Sequence, residues 1–121
     1  NLQYGDVNDE ISQVAKKLGR NIVNFGNVDN WMHLDSLAAL IMVCDKVVSI
    51  DNSTAHFAGA LGKESHVLLP YSADWRWGTS EDTSSYWYSA TKLYWQSELD
   101  NWNDPLLSLE ETLMTNKNSP G

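Results

Sequence analysis

Asp51, Asn52, Ser53, Thr54 and His56 place a carboxylate, an amide, two hydroxyls and an imidazole within six consecutive residues. The start of a helix offers unpaired backbone N–H groups and a partial positive charge to a phosphate or pyrophosphate. The small side chains of Ser53, Ala55, Ala58 and Gly59 let a ligand or a neighbouring backbone come close. The plain alternative is that Asp51 or Asn52 only caps the helix and the turn binds nothing. His56, in the first helical turn, either approaches the phosphates or packs as an ordinary histidine.

For these residues to meet a ligand they must sit on a strand, a tight turn and a helix. Val47, Val48 and Ile50 read as a short buried strand, residues 51–54 as the turn, and residues 55–61 as a compact helix. That turn lies at the carboxyl end of a strand, where open α/β sheets bind ligands. The surrounding chain repeats the theme. Ile11, Val14, Ala15 and Leu18 recur at helical spacing, with Asn8 or Asp9 as the cap and Gly19 as the stop. Residues 21–25 read as a short strand and residues 26–30 as a loop, and Leu34, Leu37, Ala38 and Ile41 mark a second helix ending near Asp45. Residues 65–69, closed by Pro70, and residues 93–96 read as further strands. The last helix opens at Asn103 or Asp104 with Pro105 at its first position and turns Leu106, Leu109 and Leu113 to one face. Strands alternating with helices predict an α/β fold whose parallel sheet is buried on both faces.

Between the last two strands the periodicity breaks. Residues 71–88 form a long loop carrying Tyr71, Trp75, Trp77, Tyr86, Trp87 and Tyr88. Two readings stand: the rings cover an exposed end of the core, or they wall a site for a sugar or a base. Arg76, between two tryptophans, is either a cation for phosphate or a guanidinium stacked between indoles. His33 and His66 have no partners at metal-ligand spacing and read as structural or surface residues, and no His/Cys/Asp cluster suggests a metal.

Composition bounds the function. The chain has 121 residues, 42% of them hydrophobic and 20% charged, which is ordinary for one folded domain. A formal net charge of −8 argues against a nucleic-acid or anionic-membrane binder, and no apolar run approaches a membrane span. The single cysteine, Cys44, rules out an internal disulfide and reads as a packed core thiol, so a reducing, cytoplasmic setting is expected. The first residues look like the end of a strand whose beginning is missing, and a fragment is expected.

Several phrases together resemble one family: LQYGD near the start, DSLAALIMVCDKVVSIDNSTAHFAGALGK in the middle, then LLPYSADWRWG, SSYWYSATKLYWQ and NDPLLSLEETL. They are similar to the C-terminal, donor-binding half of GT-B glycosyltransferases. The likeness is to the heptosyltransferase-like family and to tetratricopeptide-repeat-linked, O-GlcNAc-transferase-like relatives. It implies a Rossmann-like three-layer domain over residues 1–116, a flexible tail at 117–121, and an absent first strand and N-terminal acceptor-binding domain. It also implies a nucleotide-diphosphate sugar as donor substrate, no cofactor and no metal.

By that resemblance Asp51 accepts hydrogen bonds from sugar hydroxyls, and the N–H groups near Ser53 and Thr54 hold the diphosphate. Gln3 and Tyr4 match the glutamine-containing loop facing the same cleft. Asn52 and Ser53 stand where heptosyltransferases commonly carry threonine and glycine, which leaves the sugar open. The catalytic base is expected in the missing half, so the isolated chain is expected to bind without turnover. Two other readings are a carbohydrate- or protein-interaction module working through residues 71–88, and a scaffold or oligomerisation unit whose exposed sheet edge a second copy covers as a homodimer.

Overall fold

A computed structural model describes Leu2 and residues 6–24 and 33–117. The chain divides into two compact units, Asn1–Val43 and Cys44–Gly121.

In the first unit, helix α1 spans Asn8–Leu18. Asp9 and Glu10 lie in its first turn and Lys16 and Lys17 in its last, both favourable to the helix dipole. The N-cap falls on Val7 and not on Asn8 or Asp9, without a side-chain cap of its own, and the Asp6 carboxylate accepts the Asn8 N–H at 3.4 Å. Gly19 ends the helix in the left-handed region, φ 60°, as expected of a glycine stop. None of α1's side chains is buried, although Ile11, Val14, Ala15 and Leu18 form an apolar stripe. Residues 21–24 are not a strand. Ile22 and Val23 alone, flanked by two β-poor asparagines, are too short an apolar run to hold one. Phe25, like Gln3 and Tyr4, lies outside the described residues. Helix α2 spans Leu34–Val43 and buries Leu37 and Ile41, while Leu34 of the expected stripe is exposed.

The second unit is an α/β sandwich with a small Rossmann-like plan. Strands β1 (Val47–Ile50), β2 (Ser65–Leu69) and β3 (Thr91–Trp95) form one sheet in the order β1-β2-β3. Both pairings are parallel, with Val47 opposite Ser65 and Ser65 opposite Thr91. Helix α3 (Ser53–Ala60) packs against β1 and β2, and helix α4 (Asn103–Lys117) against β2 and β3. The period-2 alternation of β2 gives each helix its own core. Val67 and Leu69 pack with Ala55, Trp77 and Leu93, whereas Leu68 packs with Tyr94 and Leu109.

Full burial holds for β2 and fails for β1, correcting the expectation of a sheet covered on both faces. Val47 is buried, but Val48 and Ile50 are exposed. Their register partners are His66 and Leu68, so they point to the α4 side, where α4 lies over β2 and β3. On α4 the buried positions are Pro105 and Leu109, with Leu106 exposed. The helix begins two residues before Pro105, and its buried positions Pro105 and Leu109 are four apart on one face, which leaves Leu106 beside that face and exposed.

The free edge of β3 is covered by the chain's own loop. Leu93 donates to the Thr83 carbonyl at 3.0 Å and the Ser85 N–H reaches the Thr91 carbonyl at 3.1 Å, around an antiparallel bridge between Ser84 and Lys92. Such cover blocks edge-to-edge pairing. At the opposite end of the sheet from Asp51, fully buried His66 contacts the Tyr94 hydroxyl through Nδ1 at 2.8 Å and Glu64 through Nε2 at 3.2 Å. Lys46 completes that cluster by pairing with Glu64 at 2.8 Å. Cys44 is half-buried and in no disulfide.

Candidate functional site

Parallel pairing puts the carboxyl ends of all three strands on one rim, and the predicted site residues of the second unit follow from it. Asn52, in extended backbone just after β1, is the helix cap: its Oδ1 accepts the Ala55 N–H at 3.1 Å and the Ser49 hydroxyl at 3.0 Å. The cap leaves the N–H groups of Ser53 and Thr54 at the open end of α3, where no helical carbonyl can reach them. Ser53 is exposed and Thr54 buried.

Asp51 is thereby released from capping, and the structure gives its carboxylate a different partner. Its Oδ1 accepts the indole N–H of Trp77 at 2.6 Å. Trp77 comes from the long loop, in a 3-10 turn over Trp75–Trp77 that the Asp74 side chain caps. It is fully buried in the core with Ala55, Val67, Leu69 and Leu93.

His56 lies one turn into α3, against the same indole. The two rings stack with centroids 4.4 Å apart and planes 22° apart, and Nδ1 of His56 bonds the Tyr88 hydroxyl at 3.0 Å. Tyr88 in turn lies over Gly59, where an added Cβ would fall 2.5 Å from its Cγ. Asp51, Trp77, His56 and Tyr88 thus form one connected set, the first and third from the turn and helix, the others from the loop. The Nε2 atom of His56 has no hydrogen-bond partner among the described residues.

Arg76 is oriented differently. Its Nη1 bonds both oxygens of Asp74 at 2.9 and 3.0 Å, and its guanidinium lies 4.9 Å from the centre of the Trp75 ring. It therefore stacks on one indole and not between two, because Trp77 has turned inward. The Arg76 backbone N–H and its guanidinium together hold the Asp74 carboxyl below its ordinary range.

The rest of the loop is pinned by Asp82. Its carboxylate accepts from the Thr79 N–H at 2.7 Å and the Tyr86 hydroxyl at 2.7 Å, and its carbonyl accepts from the Trp95 indole at 2.9 Å. The Thr79 N–H first and Tyr86 second lower the Asp82 acidity range, and Asp82 in turn raises that of Tyr86. Tyr71, Trp75, Tyr86 and Trp87 stay exposed. The core-cover reading holds for Trp77, which is fully buried, and for Tyr88, which packs against the same core, while the other four rings are exposed.

No family model matches the chain, and no solved structure matches it. Similarity to one curated protein is clear. Over 102 residues the chain is 32% identical to Protein FlbA of Caulobacter vibrioides, an alignment covering 84% of this chain and 17% of FlbA. The chain thus corresponds to about a sixth of that relative's length. Among the described residues no group of three or more His, Cys, Asp or Glu side chains is placed to hold a metal ion. No described helix is long and apolar enough to cross a membrane.

The sequence names Trp77 and Tyr88 only among six loop rings and gives no sign of their bonds to Asp51 and His56. Trp75 and Trp77 flank the same arginine, and only tertiary packing distinguishes them. The available signal was Gly59: a glycine inside a helix implies a close neighbour, and here that neighbour is Tyr88.

Proposed function

We propose that this chain is the donor-binding half of a GT-B-type glycosyltransferase and binds a nucleotide-diphosphate sugar at the carboxyl rim of its sheet. The observation that carries this reading is the joint placement of an open helix start, the Asp51 carboxylate and the His56 imidazole beside one turn. The Ser53 and Thr54 N–H groups and His56 Nε2 meet the diphosphate, and Asp51 meets the sugar. As the nucleotide diphosphate departs, negative charge grows on its terminal phosphate, and fixed donors stabilise that charge more than the ground state. Arg76 joins them on exchanging Asp74 for a phosphate oxygen. Gln3 and Tyr4 belong to the same cleft in this reading.

The catalytic base comes from an N-terminal acceptor-binding domain, so the isolated chain binds donor and does not turn over. A cytoplasmic setting and a homodimer in which a second copy covers the β1 edge accompany the proposal. The exposure of Val48 and Ile50 favours the dimer, and a clean monomer by light scattering at high concentration would remove it.

The test is a protein-observed NMR titration with UDP, ADP and GDP and then their sugar conjugates, following the amides of residues 52–56. Saturable shifts with one nucleotide preferred are expected, and Asp51→Ala should weaken the conjugate and spare the free nucleotide. No shift at millimolar ligand would overturn the reading. A second reading is favoured by the four exposed rings: an interaction module that binds saccharide or protein through the loop. It predicts that plain saccharides perturb the Trp75 and Trp87 indole signals, while Trp77, being fully buried, stays still.

A further inference from the structure

We infer that Trp77 is a positioning residue for Asp51, and that any preference of the site for a sugar conjugate over the free nucleotide diphosphate runs through its indole N–H. This inference rests on the donor-site reading above.

An indole N–H is a donor only and, once buried, needs an acceptor. Trp77 is fully buried, and the acceptor it finds is Asp51 Oδ1 at 2.6 Å. Bonds to an ionised oxygen are short and strong, so this one holds the carboxylate against the broad rotation an aspartate otherwise has about χ2. Oδ1 is occupied, and Oδ2 has no partner among the described residues. The carboxylate therefore offers one fixed edge at the end of β1, which is the geometry that selects a hydroxyl in a defined place.

The indole is itself held on every side. One face stacks on His56, its body sits among Val67, Leu69 and Leu93, and Asp74 caps the short turn that carries it. Trp77 therefore acts on a ligand only through the residues it holds: its N–H fixes Asp51, on the sugar side, and its face supports His56, on the phosphate side shared by both ligands. Its burial excludes a role as a stacking platform.

The test compares Trp77→Phe with the native chain, reading the ratio of affinities for sugar conjugate and free nucleotide diphosphate. A purely structural loss lowers both affinities together and leaves the ratio unchanged. Loss of the positioning bond lowers the ratio roughly tenfold, in line with bonds to charged groups. Replacing Trp77 by benzothienylalanine keeps the shape and removes only the N–H, and serves where Phe does not fold.

The Trp77 indole proton gives a ligand-independent readout. It should resonate far downfield in the native chain and move upfield in Asp51→Asn. An unchanged ratio in a folded variant, or an indole proton indifferent to Asp51→Asn, overturns the inference alone. A native chain that binds neither free nor conjugated nucleotide overturns the donor-site reading, and this inference with it.

Discussion

At position 59 the backbone of α3 comes so close to the Tyr88 ring that only a hydrogen fits. An alanine Cβ there would lie 2.5 Å from Cγ and 2.6 Å from Cδ2 of that ring, well inside contact distance. The ring cannot simply swing away, because its hydroxyl is bonded to His56. Gly59→Ala should therefore cost about 1–3 kcal/mol, the usual range for overpacking, although alanine alone would favour the helix. Urea unfolding monitored by circular dichroism checks this, and a variant as stable as the native chain would show that Tyr88 is loosely held. Single-residue features were legible in the sequence where local chemistry decides them. An asparagine before a small-residue helix is a cap on its own merits, and Asn52 is one. Trp77 was not legible, since its burial depends on β2 and β3, which approach only in the folded chain.

Among the described elements, β2 carries a fully buried ionisable group. His66 faces Glu64 on its own strand's entry, Lys46 ahead of β1, and Lys92 and Tyr94 on β3. Burial pushes its pKa below the ordinary value, and the attraction of Glu64 only partly offsets this. The sign follows directly. The unfolded chain takes up a proton near pH 6.5, while the folded chain resists it, so the unfolded state binds more protons below that pH. Stability is full above about pH 6.5 and declines as the pH falls from there toward the lowered folded value. The Lys46 bond holds the Glu64 carboxyl below its usual range, and its contribution is lost at still lower pH. Urea midpoints at pH 8, 6 and 5 should fall in that order, and the decline between pH 6.5 and 5 should flatten in His66→Gln. An equal decline in that variant would assign the pH dependence elsewhere. The strands themselves were readable from short apolar runs next to turn residues. Their cover was not: β1 has the same composition as a buried strand, and whether Val48 and Ile50 are enclosed is decided by where α4 lies.

For the molecule as a whole, alternation of strand and helix announced an α/β fold, and Cys44–Gly121 has one. Its boundary was invisible in composition, because α2 runs into β1 through only three residues, Cys44, Asp45 and Lys46. Every described residue of the candidate site, from Asp51 to Tyr88, lies in that second unit, as do both cores that hold the sheet. On one face of β2 Val67 and Leu69 pack with Ala55, Trp77 and Leu93, and on the other Leu68 packs with Tyr94 and Leu109, all of them residues of this unit. A chain of residues 44–121 should therefore fold alone. Its Trp77 indole proton should match that of the full chain, and under the donor-site proposal its affinity for a nucleotide diphosphate should too. Retained folding with lost affinity would move part of the phosphate site into residues 1–43, where Gln3 and Tyr4 are the residues to substitute next. Failure to fold would mean instead that residues 44–121 are not stable as a unit by themselves.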